Sequence, residues 1–195
     1  MTCEHGRRRQ ILDAAERLLR QYGPAKTTIA DIAREAAVGV GTVYLEFASK
    51  DAIVEALSTS RHGRVLDAMR EASVAPAATW AERFTRVLDA RVRAFTAMAD
   101  EGAHAPDLVH CNASAVQSAH ERYRNDERAF VAGLLAQAHA EGAFSVSDPS
   151  ATAEVLLLAY ASFSPPWLFR RPREEVARQL EALHGLVLRG LLARS

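Results

Sequence analysis

Four residues carry the side chains best suited to ligating a metal: His104, His110, Cys111 and His120. Zinc sites use imidazole and thiolate donors, most recognisably as His-x-x-x-His or Cys-x-x-Cys pairs that bring two donors together. These four follow no such spacing, so solvated or internally bonded histidines are the preferred reading. A metal- or thiol-sensing regulator, and a helical metalloenzyme using His104, His110 and His120, stand as alternatives. The chain also has no phosphate-cradling glycine loop and no nucleophile elbow. It is therefore expected not to be an enzyme and to use no metal or cofactor.

A second group stands out because it is polar where helical periodicity calls for apolar residues. Arg91 falls within the face made by Phe84, Leu88 and Phe95, and His120 and Glu127 fall among Val116, Tyr123, Phe130 and Leu134. An unpaired buried charge costs too much to keep, so each needs a partner, a ligand or water. One reading is an Arg91 to Glu127 ion pair bracing two antiparallel helices. The other is an effector pocket in which Arg91, His120 and Glu127 supply polar groups and Trp80, Phe95, Met98, Tyr123, Phe163 and Trp167 supply walls.

The elements that position these groups are helical almost throughout. The chain has 195 residues, 49% hydrophobic and 25% charged, with a formal net charge of zero. That composition supports a real core and rules out a polycation that coats nucleic acid indiscriminately. Basic residues do gather early: Arg7, Arg8 and Arg9 open the first helix, and both lysines, Lys26 and Lys50, lie in the first fifty residues. Cys3 and Cys111 are far apart, there is no leader-like apolar start, and the longest apolar run, Val155 to Ala161, is too short to span a membrane. A reduced cytoplasmic setting is expected.

Ile11, Ala15, Leu18 and Tyr22 form one face of a first helix that Gly23-Pro24 ends. Thr28 caps a second, with Asp31 three residues on and Ile29, Ile32, Ala33 and Ala36 buried. Val38 to Gly41 make a tight turn before Val43 and Phe47 recur at i and i+4. Two short helices at a steep angle result. Further helices are expected over about 50–72, from a Thr79-Trp80-Ala81-Glu82 capping box to about Glu101, over 114–141, 149–162 and 173–193, with a short piece after Pro106.

Thr27 to Ala33, then Val38, then Gly41-Thr42-Val43-Tyr44-Leu45-Glu46-Phe47-Ala48-Ser49-Lys50-Asp51 resembles the DNA-binding signature of the tetracycline-repressor (TetR) family. Ala37 and Gly39 depart from it, standing where a glycine and a small polar residue are usual. The resemblance implies an all-α fold: a three-helix DNA-binding domain with a helix-turn-helix over 1–50, and a helical bundle for ligand binding and dimerisation over 51–195. It implies that the helix from Val40 enters the major groove, with Thr28, Thr42, Tyr44 and Lys50 on phosphates and Ala30, Val40, Gly41 and Leu45 facing base edges. Glu46 stands where many relatives carry a phosphate-friendly side chain, which leaves it open between reading cytosine and, the preferred reading, pointing away from DNA. Arg7 to Arg9 are left open between minor groove, phosphates and a solvated arm.

Leu183, Leu186, Val187, Leu188, Leu191 and Leu192 cover more than half the circumference of the last helix, and Gly185 and Gly190 permit close approach. A homodimer is the economical reading, and it agrees with the family's pairing of C-terminal helices over a pseudo-palindromic operator. The family default is repression relieved by a small-molecule effector.

Overall fold

The computed structural model describes residues 2–192 of the chain, with side chains from Gly6 onward. The Cys3 side chain and Ala193 lie outside the described residues. Within them are eight α-helices: α1 Thr2–Tyr22, α2 Ile29–Glu35, α3 Val40–Glu46, α4 Lys50–Val74, α5 Trp80–Ala99, α6 Ser114–Ala140, α7 Pro149–Ala159 and α8 Arg173–Leu191. The described residues contain no strand, apart from one isolated bridge between Phe144 and Leu192. The all-α expectation holds, and no described helix is long and apolar enough to cross a membrane.

Caps and breakers account for the boundaries. Asp148 caps α7 by accepting from the N–H groups of Ser150 and Ala151, both at 2.9 Å, with Pro149 in the first turn. Thr79 accepts from the Glu82 N–H at 3.1 Å, but the Glu82 carboxylate takes the N–H of Ala78, not that of Thr79. The return half of that capping box is thus displaced by one residue. The piece after Pro106 is one 3-10 turn, Ala105–Leu108, and α7 stops at Ala159, earlier than the apolar pattern suggests, before another 3-10 turn at Ala161–Phe163. Gly23 ends α1 at a φ of +79°, where the His104 ring comes within 3.0 Å of the place a Cβ would occupy. Both facts require glycine there.

The chain forms two compact units: Met1–His62 with Ala97–Glu121, and Gly63–Thr96 with Arg122–Ser195. The core of the first joins Ile11, Ala15 and Leu19 of α1, Ile32 and Ala33 of α2, Val43 and Phe47 around α3, Ile53 and Leu57 of α4, and Leu108 and Val116. It also buries Arg61, whose Nη2 donates to Glu16 and Glu101, each at 2.7 Å. In the second unit the Phe84 and Phe144 rings meet edge to face at 5.7 Å, and Tyr160 donates to His184 Nδ1 at 2.7 Å while His184 Nε2 donates to Asp89 at 3.0 Å. Burial, helped by the Asp89 charge, raises the Tyr160 hydroxyl above its ordinary pKa.

Beside Arg61, the buried His62 donates from Nδ1 to the Ser58 carbonyl at 2.9 Å, which leaves Nε2 to accept from His120 Nδ1 at 3.4 Å. Burial, and then the His120 ring, lower the His62 pKa from 6.5 to about 4. A histidine held neutral in the fold binds its proton in the unfolded chain first, so stability is full above pH 6.5 and falls as the pH drops towards 4. From pH 8 to 5 the loss should be about 2 kcal/mol. Denaturant unfolding across that window should show this slope in the wild type and a flatter one in His62→Gln. Parallel curves would show that His62 is not the proton-linked group.

Candidate nucleic-acid interface

The geometry of the short helix α3 follows from what it buries. Val43 and Phe47, one turn apart, are sealed in the first unit's core. At about 100° per residue the positions between them must turn outward. Leu45 is 86% exposed, Tyr44 55% and Val40 44%, and Gly41 also faces solvent. Thr42 is half-buried. These exposed apolar side chains form one patch on a helix only seven residues long.

The turn before α3 carries a strain. Ala37 sits at a φ of +51°, a left-handed conformation that disfavours any residue with a Cβ, which accounts physically for the glycine usual at this place. Gly39 is the N-cap of α3 and makes no side-chain cap bond. In α2, Thr28 and Asp31 form the full reciprocal capping box: Thr28 Oγ1 accepts from the Asp31 N–H at 3.2 Å, and the Asp31 carboxylate accepts from the Thr28 N–H at 3.1 Å. The Thr28 hydroxyl, donating to the carboxylate at 2.6 Å, then the Thr28 N–H, then Arg34, hold the Asp31 carboxyl below its usual pKa. The box holds the N-terminus of α2, with Ala30 exposed on its first turn.

Lys50 is tied inward, its Nζ donating to the carbonyls of Pro24 at 2.7 Å and Thr27 at 3.2 Å. It ties the turn after α1 to the start of α4, which leaves one of its three N–H bonds for other use. Arg8 has partners within the fold. It lies on α1, its guanidinium stacks 4.1 Å above the Phe47 ring, and it donates to the Glu46 carbonyl at 2.8 Å, capping the end of α3. Arg7 and Arg9 are exposed on the same helix.

The second candidate set divides. Arg91, Phe95, Tyr123, Glu127 and Phe163 converge inside the second unit: the Arg91 Nε donates to Glu127, Nη1 to the Phe163 carbonyl at 3.3 Å and Nη2 to Ser164 Oγ at 2.7 Å. Tyr123 donates to the same Glu127 oxygen and meets Phe95 edge to face at 5.7 Å. Burial alone would lower the Arg91 pKa, and the Glu127 carboxylate outweighs it, so the guanidinium is held more firmly protonated than in water. Burial and the same carboxylate raise the Tyr123 hydroxyl. Trp80 instead donates to Glu141 at 2.7 Å, Trp167 is exposed, and Met98 and His120 belong to the first unit.

Among the metal candidates, His104 pairs with Asp107 at 3.0 Å, while the His110 and His120 rings lie 6.3 Å apart. The described residues contain no group of three or more His, Cys, Asp or Glu placed to hold a metal ion. Arg61 and His62 escaped the sequence reading. Arg61 lies in register with Ile53, Leu57 and Val65, so the test that singled out Arg91, a charge on an apolar stripe, would have found it.

Residues 11–57 match the bacterial regulatory proteins of the tetR family, and residues 81–183 match the tetracyclin repressor-like C-terminal domain. The chain belongs to the TetR family. It is 47% identical over 55 residues to the HTH-type transcriptional regulator TtgR of Pseudomonas putida, an overlap covering 28% of this chain and 26% of that protein. It thus spans about a quarter of that relative's length in the match. In fold it resembles a TetR-family structure from Mesorhizobium loti, with a TM-score of 0.75 at 20% identity over 99% of this chain and all of that one. The fatty acid degradation regulator FadR of Bacillus halodurans superimposes at 0.69, with 20% identity over 96% of this chain and 97% of that one.

Removing one partner of the Arg91–Glu127 pair strands a buried charge, so Arg91→Ala should lose about 3 to 5 kcal/mol of unfolding free energy. The double variant Arg91→Met, Glu127→Leu should recover most of it. Equal losses in single and double variants by denaturant titration would refute the pairing.

Proposed function

We propose that this protein is a transcriptional regulator that docks α3 in the major groove of duplex DNA. The observation that carries this is the outward face of α3, where Tyr44 and Leu45 stand exposed because Val43 and Phe47 are not. The match to the tetR family over 11–57 supports it, since it covers the whole of α2 and α3. In this reading Thr28, Thr42, Tyr44 and the third N–H of Lys50 meet phosphates, and Ala30, Val40, Gly41 and Leu45 face base edges. The domain plan of 1–50 and 51–195 is kept as the division between DNA reading and response.

The same proposal makes the protein a homodimer on a pseudo-palindromic operator. Val155 and Leu158 of α7 and Leu186 of α8 are largely exposed, and the adjoining Leu192 nearly half so, apolar surface that a second copy would cover. A small-molecule effector that releases DNA, giving repression that is relieved on binding, completes the reading. The match over 81–183 to a repressor-like C-terminal domain encloses Arg91, Phe95, Tyr123 and Glu127, with Phe163 beside them, and supports placing the effector there.

The test is a salt series on the duplex that the full-length protein selects from random DNA. Tyr44→Phe should weaken binding several-fold without altering helix content. Lys50→Ala should weaken it across all sequences and reduce the slope of log affinity against log salt by about 1. Wild-type affinity and slope in both variants would reject this docking.

A further inference from the structure

We propose that α3 reads its operator through thymine C5-methyl groups, with Leu45 as the principal reading side chain. This rests on the DNA-docking reading above and adds which chemical group on the DNA is recognised.

The major groove offers distinct handles at each base pair. Guanine presents two acceptors that call for Arg or Lys, adenine an acceptor and donor that call for Asn or Gln, cytosine a donor that calls for Asp or Glu, and thymine an acceptor beside a methyl that calls for an apolar side chain. The one carboxylate of α3, Glu46, is half-buried at its last turn. From Ala36 to Ser49 there is no Arg, Lys, His, Asn or Gln. Four nearby cations that might supply such donors already have partners within the protein. Arg34 pairs with Asp31 at 2.6 Å, Arg17 with Glu35 at 2.9 Å, and Arg8 lies against Phe47 and the Glu46 carbonyl. Lys50 reaches inward to Pro24 and Thr27.

Apart from the Tyr44 ring, which the docking reading gives to a phosphate, what α3 presents outward is alkyl and backbone: Leu45, Val40 and Gly41, where an added Cβ would meet nothing within 4 Å. Leu45 is the most exposed of the large hydrophobic residues, and its neighbours in the fold do nothing to cover it. An isobutyl group left in water gains most by meeting another apolar group, and thymine's methyl is the apolar group that the major-groove edges of the four bases offer. Open backbone at Gly41 lets the helix approach closely enough for that contact.

The experiment starts from the duplex that the full-length wild-type protein enriches from a random pool. That duplex is resynthesised with deoxyuridine replacing thymidine at one position at a time, which removes the methyl and leaves the pairing and every polar group intact. At least one thymine in each half-site should weaken wild-type binding about fourfold when replaced, the value of one buried methyl. Against Leu45→Ala that penalty should shrink towards none, because the partner of the methyl is gone. The variant should fold normally, since Leu45 packs against little. Wild-type affinities indifferent to uracil at every position, or an enriched site with no thymine, would overturn methyl readout while leaving DNA docking intact. A uracil penalty of full size in Leu45→Ala would overturn the assignment to Leu45. Failure to enrich any duplex would overturn the docking reading and this inference with it.

Discussion

The insertion of Val43 and Phe47 into the core of the first compact unit is the constraint from which the exposed surface around α3 follows. A helix of seven residues that buries Val43, and whose C-cap Phe47 is buried as well, has no freedom in where its other side chains point. Leu45, Tyr44 and Val40 are outward because of that burial. Phe47 is held twice, by the core beneath and by the Arg8 guanidinium above, and Arg8 also closes the end of α3 through the Glu46 carbonyl. The capping box at Thr28 and the ammonium of Lys50 fix the other two corners, the start of α2 and the turn after α1. Polar groups that a sequence reading assigns to phosphates are thus also the groups that hold the fold. Their substitution tests both roles, which is why salt slope and helix content need to be read together.

The second unit is organised around buried polar contacts as well, with a different logic. Arg91, Glu127, Tyr123 and Ser164 satisfy one another, so the charge at the centre of an apolar face is compensated and not solvated. Such a cluster gives little net stability over an apolar replacement, but it is costly to break by halves. A ligand that competed for Arg91 would have to offer an equivalent carboxylate or carbonyl. The Tyr160–His184–Asp89 chain repeats the pattern between α5, α8 and the C-cap of α7. These clusters specify how helices pair where leucines and alanines alone would permit several registers.

Much of this was legible in the residues. The inward set of α1, α2 and α3 could be read from periodicity, and the Arg91 to Glu127 contact from two charges on apolar stripes. The apolar surplus on α8 was visible, and Leu186 is indeed bare. The rest depends on tertiary detail that periodicity does not encode. That Lys50 would bond two carbonyls of the turn after α1, or that Arg8 would stack on Phe47, depends on how three helices close on one another. Trp80 and Trp167 looked like pocket walls because aromatic residues on helical faces usually are. Here one takes a partner in Glu141 and the other faces solvent. Ala37 shows a signal of the opposite kind, a residue whose departure from the family's glycine becomes intelligible once its positive φ is known.

The central claim is that the exposed face of α3 docks on duplex DNA, and that two copies do so together. Hydroxyl-radical footprinting of the duplex selected by the full-length protein tests it most directly. The account predicts an enriched inverted repeat with two protected patches on one face of the helix, centred about one helical turn apart, and loss of both in Leu45→Glu. A folded wild-type protein that enriches no sequence, or a footprint unchanged by Leu45→Glu, would contradict it.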